Sequence, residues 1–331
     1  MRNRRVLLLL TAAMFATSGL LAAQTTTAKK NSYRAARTPW GAPDIHGDYT
    51  NKDEANTPLE RPAQLAGKDA AAFTEADLAQ LAKDRAAQAQ QIAAGIGGAE
   101  TGAGPTHWYD HLSAKGSRPW FVVDPTDGHL PPMTPQALRR EATIASLNDA
   151  RNGEGRADSP DDRSMYDRCI TRGLPGSMMP AIYGNAYQIV QTPDTIAIRY
   201  EMIHETRIIP IDGRPHARAG IHLLMGDARG RFDGDTLVVE TTNFTNRTHF
   251  GYNNRYNSEK EKIVERFTPI APGKLEWQVT IDDPDVWTRP WTFAMTLTRD
   301  DSQRIFEYAC HEGNYGLRDI LSGARAEDSQ K

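Results

Sequence analysis

Residues 262–282 read KIVERFTPIAPGKLEWQVTID. Ile263, Glu265 and Phe267 share one side of a two-residue period and Val264 lies on the other, which is the mark of a strand. Gly273-Lys274 separates this run from Leu275–Asp282, and so short a connection makes consecutive strands antiparallel neighbours. Two more strands read as Trp291–Arg299 and Arg304–Cys310, joined by Asp300-Asp301-Ser302. Upstream, Ile196, Ile198, Tyr200 and Met202 share a face, while Arg199, Glu201, Glu205 and Arg207 share the opposite one. Turn residues Asp233-Gly234-Asp235 precede the run Leu237–Thr242. Six or so short strands over about 125 residues, with no helical crossover between them, predict a curled antiparallel sheet. A parallel doubly wound sheet is excluded on the same ground.

The fold class expected is therefore mainly β, an antiparallel β-barrel or strongly curved sheet, lipocalin-like in architecture, with an N-terminal extended arm and two packing helices. The arm is the polar segment 24–66, dotted with Pro39, Pro43, Pro58 and Pro62. Thr74-Glu75-Ala76-Asp77 opens the first helix as a capping box, and Gly95 stops it. A Gly-rich loop runs on to Pro105, a short strand falls at Trp120–Val123, and Thr134 caps a second helix that starts on Pro135. The division that follows is 1–23 signal peptide, 24–105 arm, helix and loop, and 106–326 β-domain.

Arg2, Arg4 and Arg5, an apolar stretch and the small residues Leu20-Leu21-Ala22-Ala23 compose the three parts of a secretory signal, with the cut near Ala23. The stretch is shorter than the roughly 20 residues that span a bilayer. A periplasmic or secreted protein with no membrane insertion is expected. Lys and Arg number 39 against 42 Asp and Glu, a formal charge of −3, so no basic excess is present to follow a phosphate backbone and nucleic acid is not an expected partner. Cys169 and Cys310 are the only cysteines. In an oxidising compartment they favour a structural bridge, with two separate buried thiols and a catalytic thiol as the other readings.

Four blocks, CITRGLP from Cys169, DGRPH from Asp212, GDARG from Gly226 with GDTLVV from Gly234, and YACHEGNYGL from Tyr308, carry a likeness. Together they resemble a broad group of secreted, largely uncharacterised proteins of proteobacteria and acidobacteria, over about Thr38 to Ala326. The resemblance implies a Gram-negative periplasmic or secreted setting and no activity.

No helical zinc motif, phosphate loop or nucleophile elbow is present. A metal site assembled from distant His residues stays open, and no organic cofactor is indicated. The chemistry expected rests on polar groups in phase with apolar ones. His204 continues the face of Ile198, Tyr200 and Met202; Glu265 shares the face of Ile263 and Phe267; Glu307 lies between Ile305 and Ala309. A carboxylate facing inward is costly unless paired or facing a wet cavity, and desolvation there raises its pKa toward general-acid range. The opposite faces carry Val264, Phe306 and Tyr308, so the reverse orientation, with these Glu in solvent, is the competing reading. The loop Asp212-Gly213-Arg214-Pro215-His216 joins carboxylate, guanidinium and imidazole, and reads equally as a turn. Asp282-Asp283-Pro284-Asp285 reads as turn chemistry before a cation site, and Trp287, Arg289 and Trp291 as an aromatic wall or simple core.

These features point to an exported enzyme, a lyase or hydratase, isomerase or hydrolase, working on a small organic molecule in a barrel pocket. His204, His216, His311 and Glu307 are the expected proton carriers, and Arg207 or Arg214 the holder of developing negative charge. A non-catalytic periplasmic small-ligand-binding protein is the alternative.

Overall fold

The computed structural model describes residues 33–96, 115–149, 157–181, 183–247, 249–250 and 255–330. The segment read as a signal peptide and the Gly-rich loop beyond Ile96 lie outside the described residues. The strands are β1 Gly47–Thr50, β2 Val122–Asp124, β3 Ala186–Gln191, β4 Thr195–Tyr200, β5 Thr206–Pro210, β6 Asp227–Asp233, β7 Thr236–Thr242, β8 His249–Phe250, β9 Arg255–Tyr256, β10 Lys262–Ala271, β11 Lys274–Asp282 and β12 Trp291–Arg299. Nine of them run β5-β4-β3-β1-β12-β11-β10-β7-β6, every pair antiparallel. β2 joins β12 beside this path, and β8 pairs with β9 separately. The path curls until β6 meets β5. A Cβ built on Gly230 of β6 would stand 2.7 Å from Ile211 Cγ2 and 3.0 Å from Ile209 Cγ2, so only glycine permits that approach. The protein is a nearly closed antiparallel barrel.

Alternation explains the interior. Ladder register stacks Thr241, Ile263, Ile281 and Trp291 in one layer, Val239, Glu265, Val279 and Phe293 in the next, and Leu237, Phe267, Trp277 and Met295 in a third. All twelve are buried. Full burial of each large apolar side chain contributes about 1.5–3 kcal/mol, and the aromatic rings fill the barrel instead of leaving a wide lumen. Trp277 stacks beside Phe267 and meets Phe293 edge-on at 5.4 Å.

Three helices are described: α1 Glu75–Ile96, α2 Pro135–Asp149 and α3 Tyr315–Asp328. The capping box of α1 forms as read, with the Thr74 N–H donating to Asp77 Oδ2 at 2.8 Å and the Asp77 N–H to Thr74 Oγ1 at 3.2 Å. Thr134 accepts from the Ala137 N–H at 3.1 Å. Its hydroxyl donates to the Asp285 carbonyl at 2.7 Å, which ties the start of α2 to the chain beyond β11.

The structure departs from the sequence expectations in four places. The arm does not merely lie on the barrel: β1 comes from it and is inserted between β3 and β12, with Tyr49 opposite both Tyr187 and Arg299. The division at residue 105 therefore does not follow the sheet. Arg304–Cys310 is not a strand but an irregular, largely exposed segment leading to α3. α3 itself was not expected, and it is capped by Asn314, which accepts from the Leu317 N–H. Finally, the run of alternation through residues 196–207 is broken by a turn. Ile203 and His204 take φ of 63° and 48°, and the Tyr200 N–H donates to the Glu205 carbonyl. β4 ends there and β5 returns antiparallel beside it.

Candidate functional site

That turn decides which side chains enter the barrel. β5 pairs Arg207 with Ile198, and residues paired across two antiparallel strands share a face. Arg207, expected on the outer face, thus points inward, whereas His204 is left exposed on the turn. Glu265 points inward as its phase predicted and is fully buried. The two meet, with Arg207 Nη2 2.5 Å from Glu265 Oε2. Nη2 also donates to Thr241 Oγ1 at 2.7 Å, and Trp277 Nε1 donates to Glu265 Oε1 at 3.1 Å. Burial works against the Arg207 cation, but Glu265 and Tyr200 together outweigh it and the pKa is raised. Burial also raises the Tyr200 phenol beside them. This is a charge pair held inside an aromatic core.

One end of the barrel carries a second group of polar residues. β10 begins after the segment Tyr256-Asn257-Ser258-Glu259-Lys260-Glu261, and β11 ends into Asp283-Pro284-Asp285-Val286-Trp287. The Asp283 carboxylate orders both segments, accepting from the Ser258 N–H and Oγ–H, each at 2.6 Å, and from the Asp285 N–H at 3.2 Å. This is turn chemistry, as the sequence reading favoured. Between these segments and α2 lies a cleft of about 290 Å3, lined by Met133, Gln136, Arg140, Glu141, Tyr256, Glu259, Lys260, Asp285 and Val286 among others. The Arg140 guanidinium sits 4.6 Å from the centroid of the Tyr256 ring and donates to the carbonyls of Asn257 and Asn246. Lys260 Nζ is 2.8 Å from Asp285 Oδ1.

Behind the cleft, and sharing Tyr256 and Val286 with it, is a small void of about 10 Å3 bordered by Glu261, Asp283, Trp287 and Trp291. Glu261 is 6 % exposed. Burial, then the neighbouring Asp283 charge, push its carboxyl well above the ordinary range, against a smaller opposing effect of the Asn257 side chain. Its Oε2 has no hydrogen-bond partner among the described residues. A buried carboxyl with its proton held more tightly than usual is a candidate for acid–base work.

The residues singled out from the sequence are not brought together. Among the described residues no hydrogen bond or ion pair links any two of His204, His216, His311, Glu307, Arg207 and Arg214. His204 Nδ1 contacts the Tyr308 carbonyl at 2.8 Å. Glu307, expected to face inward, is exposed because its segment has left the sheet. His311 is exposed as well. His216 lies 3.1 Å from Asp227 and 3.5 Å from Glu240. Arg214 is held by Asp212, with Nε donating to Oδ2 at 2.8 Å on an exposed loop, which is the turn reading of that motif. Arg289 turns toward Asp124 at 3.6 Å instead of standing between the tryptophans. His107 and His111, whose four-residue spacing would suit a metal on a helix, lie outside the described residues. No group of three His, Cys, Asp or Glu able to hold a metal occurs among the described residues. Cys169 and Cys310 do pair, with Cα atoms 5.7 Å apart. Glu261 was missed, yet it continues the phase of Ile263, Glu265 and Phe267 by two residues and was findable there.

Comparison with known proteins adds little. No family model and no curated protein matches the chain. Among solved structures, the crystal structure of a mutant of the fluorescent protein UnaG is similar over 41 % of this chain and 85 % of its own, at 13 % identity and a TM-score of 0.23. The barrel assignment rests on the strand pairing of this chain itself.

Proposed function

We propose that this protein is an exported enzyme acting on a small organic molecule by side-chain acid–base chemistry, at the cleft on the barrel's end instead of in its filled interior. The observation that carries the reading is Glu261, a buried carboxyl whose proton is held by burial and by Asp283, set directly behind the cleft of about 290 Å3. A carboxyl whose pKa is raised toward the working pH donates a proton and takes it back, as hydration, elimination, isomerisation and hydrolysis each require. Export is supported by the three-part N-terminus and by the Cys169–Cys310 pair. Among the described residues no helix is long and apolar enough to cross a membrane.

The second reading, a non-catalytic binding protein, is favoured by one observation: none of His204, His216, His311 and Glu307 lines the cleft. The deciding experiment incubates the mature protein and Glu261→Gln with a periplasmic small-molecule extract and follows consumption by mass spectrometry. The expected loss in the variant is about 100- to 10,000-fold. Equal turnover in both proteins removes Glu261 from the chemistry. A ligand retained without turnover establishes the carrier.

A further inference from the structure

The void behind the cleft has an unusual lining for its size. Tyr256, Trp287 and Trp291 supply three aromatic rings, and Glu261 and Asp283 two carboxyl groups. The two indoles stand edge to face, with centroids 5.7 Å apart. Aromatic faces are electron-rich and attract cations within about 6 Å. Glu261 Oε2 makes no hydrogen bond among the described residues, although the Asn257 side chain also borders the void and acts on this carboxyl, and a buried acceptor left unmatched costs about 1–3 kcal/mol. A volume of about 10 Å3 is near the space one water-sized group occupies.

We propose that this void receives the ammonium head of an organic primary amine, whose remaining carbon framework lies in the adjoining cleft. The inference deepens the acid–base reading by naming the class of molecule that meets Glu261, and it rests on that reading only for the claim of turnover. An –NH3+ group has the size of water, offers three donors and carries the sign that aromatic faces and a carboxylate favour. An anion is disfavoured by Asp283. The surrounding charges agree. The cleft lining holds Glu141, Glu259 and Asp285 against Arg140 and Lys260, three acids to two bases. Both bases are already engaged, Lys260 by Asp285 and Arg140 by two backbone carbonyls and the Tyr256 ring. Glu141 and Glu259 have no cation opposite them among the described residues. The site is therefore short of positive charge by the amount one ammonium brings. That charge also opposes the influence of Asp283 on Glu261, so binding loosens the proton on Glu261 and readies it for transfer.

The test compares benzylamine and butylamine, both protonated at pH 7, with benzyl alcohol and butanol as neutral counterparts, by calorimetric titration of the mature protein. The amines are expected to bind about 10-fold or more tightly than the alcohols, which corresponds to roughly 1.4 kcal/mol of charge recognition. Glu261→Gln keeps the shape of the void, and it should lower amine affinity about 10-fold while leaving alcohol binding unchanged. Trp287→Phe, which keeps a ring, provides the second variant and should weaken amines less. Amines binding no better than alcohols, or amine affinity indifferent to Glu261→Gln, overturns the inference. The two readings fail separately: Glu261-dependent turnover of neutral molecules alone, without amine preference, sinks this one. Amine binding lost in Glu261→Gln without any turnover sinks the enzyme.

Discussion

Arg207 and Glu265 offer the sharpest perturbation, because among the described residues each is the other's only charged neighbour within hydrogen-bond reach inside the barrel. Arg207→Met removes the cation and leaves Glu265 in an aromatic core with only the Trp277 N–H at 3.1 Å. Breaking a buried pair from one side costs about 3–5 kcal/mol, since a lone charge stays behind. Glu265→Gln strands the guanidinium and falls in the same range of about 3–5 kcal/mol. The double variant strands neither. The amide oxygen introduced by Glu265→Gln would still accept from Trp277, and the main loss is the bond from Arg207 to Thr241 Oγ1 at 2.7 Å, worth about 1 kcal/mol. The double variant is therefore expected to be more stable than either single one, by about 2 kcal/mol or more. Urea unfolding followed by tryptophan fluorescence, with Trp277 beside the pair as reporter, measures all four proteins. A double variant as unstable as the sum of the singles would refute the account of the pair.

Four further outcomes are expected. Glu261 has a raised folded-state pKa, so its contribution to stability is full below about 4.5 and is lost as pH rises; Glu261→Gln should flatten that decline in urea midpoints measured from about pH 4 to 8, and an unchanged profile counts against a buried neutral acid. The Cys169–Cys310 bond closes a loop of 141 residues, and its reduction should remove about 5 kcal/mol on chain-entropy accounting, seen as a lower urea midpoint with reductant and contradicted by no shift. Gly226→Ala places a Cβ 2.6 Å from Thr241 Cγ2 and 2.8 Å from the Thr242 carbonyl at a φ of +66°, costing about 3 kcal/mol, whereas Gly213→Ala at +80° meets nothing within 4 Å and costs about 1 kcal/mol; equal urea midpoints for the two variants would contradict this. Exported material should begin near Gln24 by intact mass, and a retained Met1 would refute processing.

The hairpin from β10 to β12 was legible because its faces alternate cleanly and Gly273 supplies a left-handed turn at φ +66°. The capping box of α1 and the inward phase of Glu265 were legible for similar local reasons. β1 was not. Four residues, Gly47–Thr50, in a Pro-rich arm carry too little period to announce a strand, and their partners lie far away in the chain. The turn at 201–205 left no mark either, since Ile203, a β-branched residue, is not one that left-handed φ usually selects. One hidden turn was enough to exchange Arg207 for His204 in the interior. α3 was overlooked although Asn314 three residues before Leu317 is an N-cap signal, because the same block reads as the end of a strand. For the candidate site, the turn at Asp283 was readable in advance. The approach of Tyr256, Glu261 and two tryptophans was not, being set by ladder register.

The insertion of β1 between β3 and β12 sets the order in which this molecule becomes a molecule. Tyr49 pairs with Arg299, so the sheet holds a gap at its centre until the last of its strands has been made. A chain emerging from the ribosome can pair β3 with β4 and β10 with β11, but neither half can curl onto the other without β12 on one side and β1 on the other. Joining contacts so distant in sequence is slow, because the loop entropy between them is lost before the contacts return anything. The barrel accordingly stays open through synthesis and closes in a late, cooperative step.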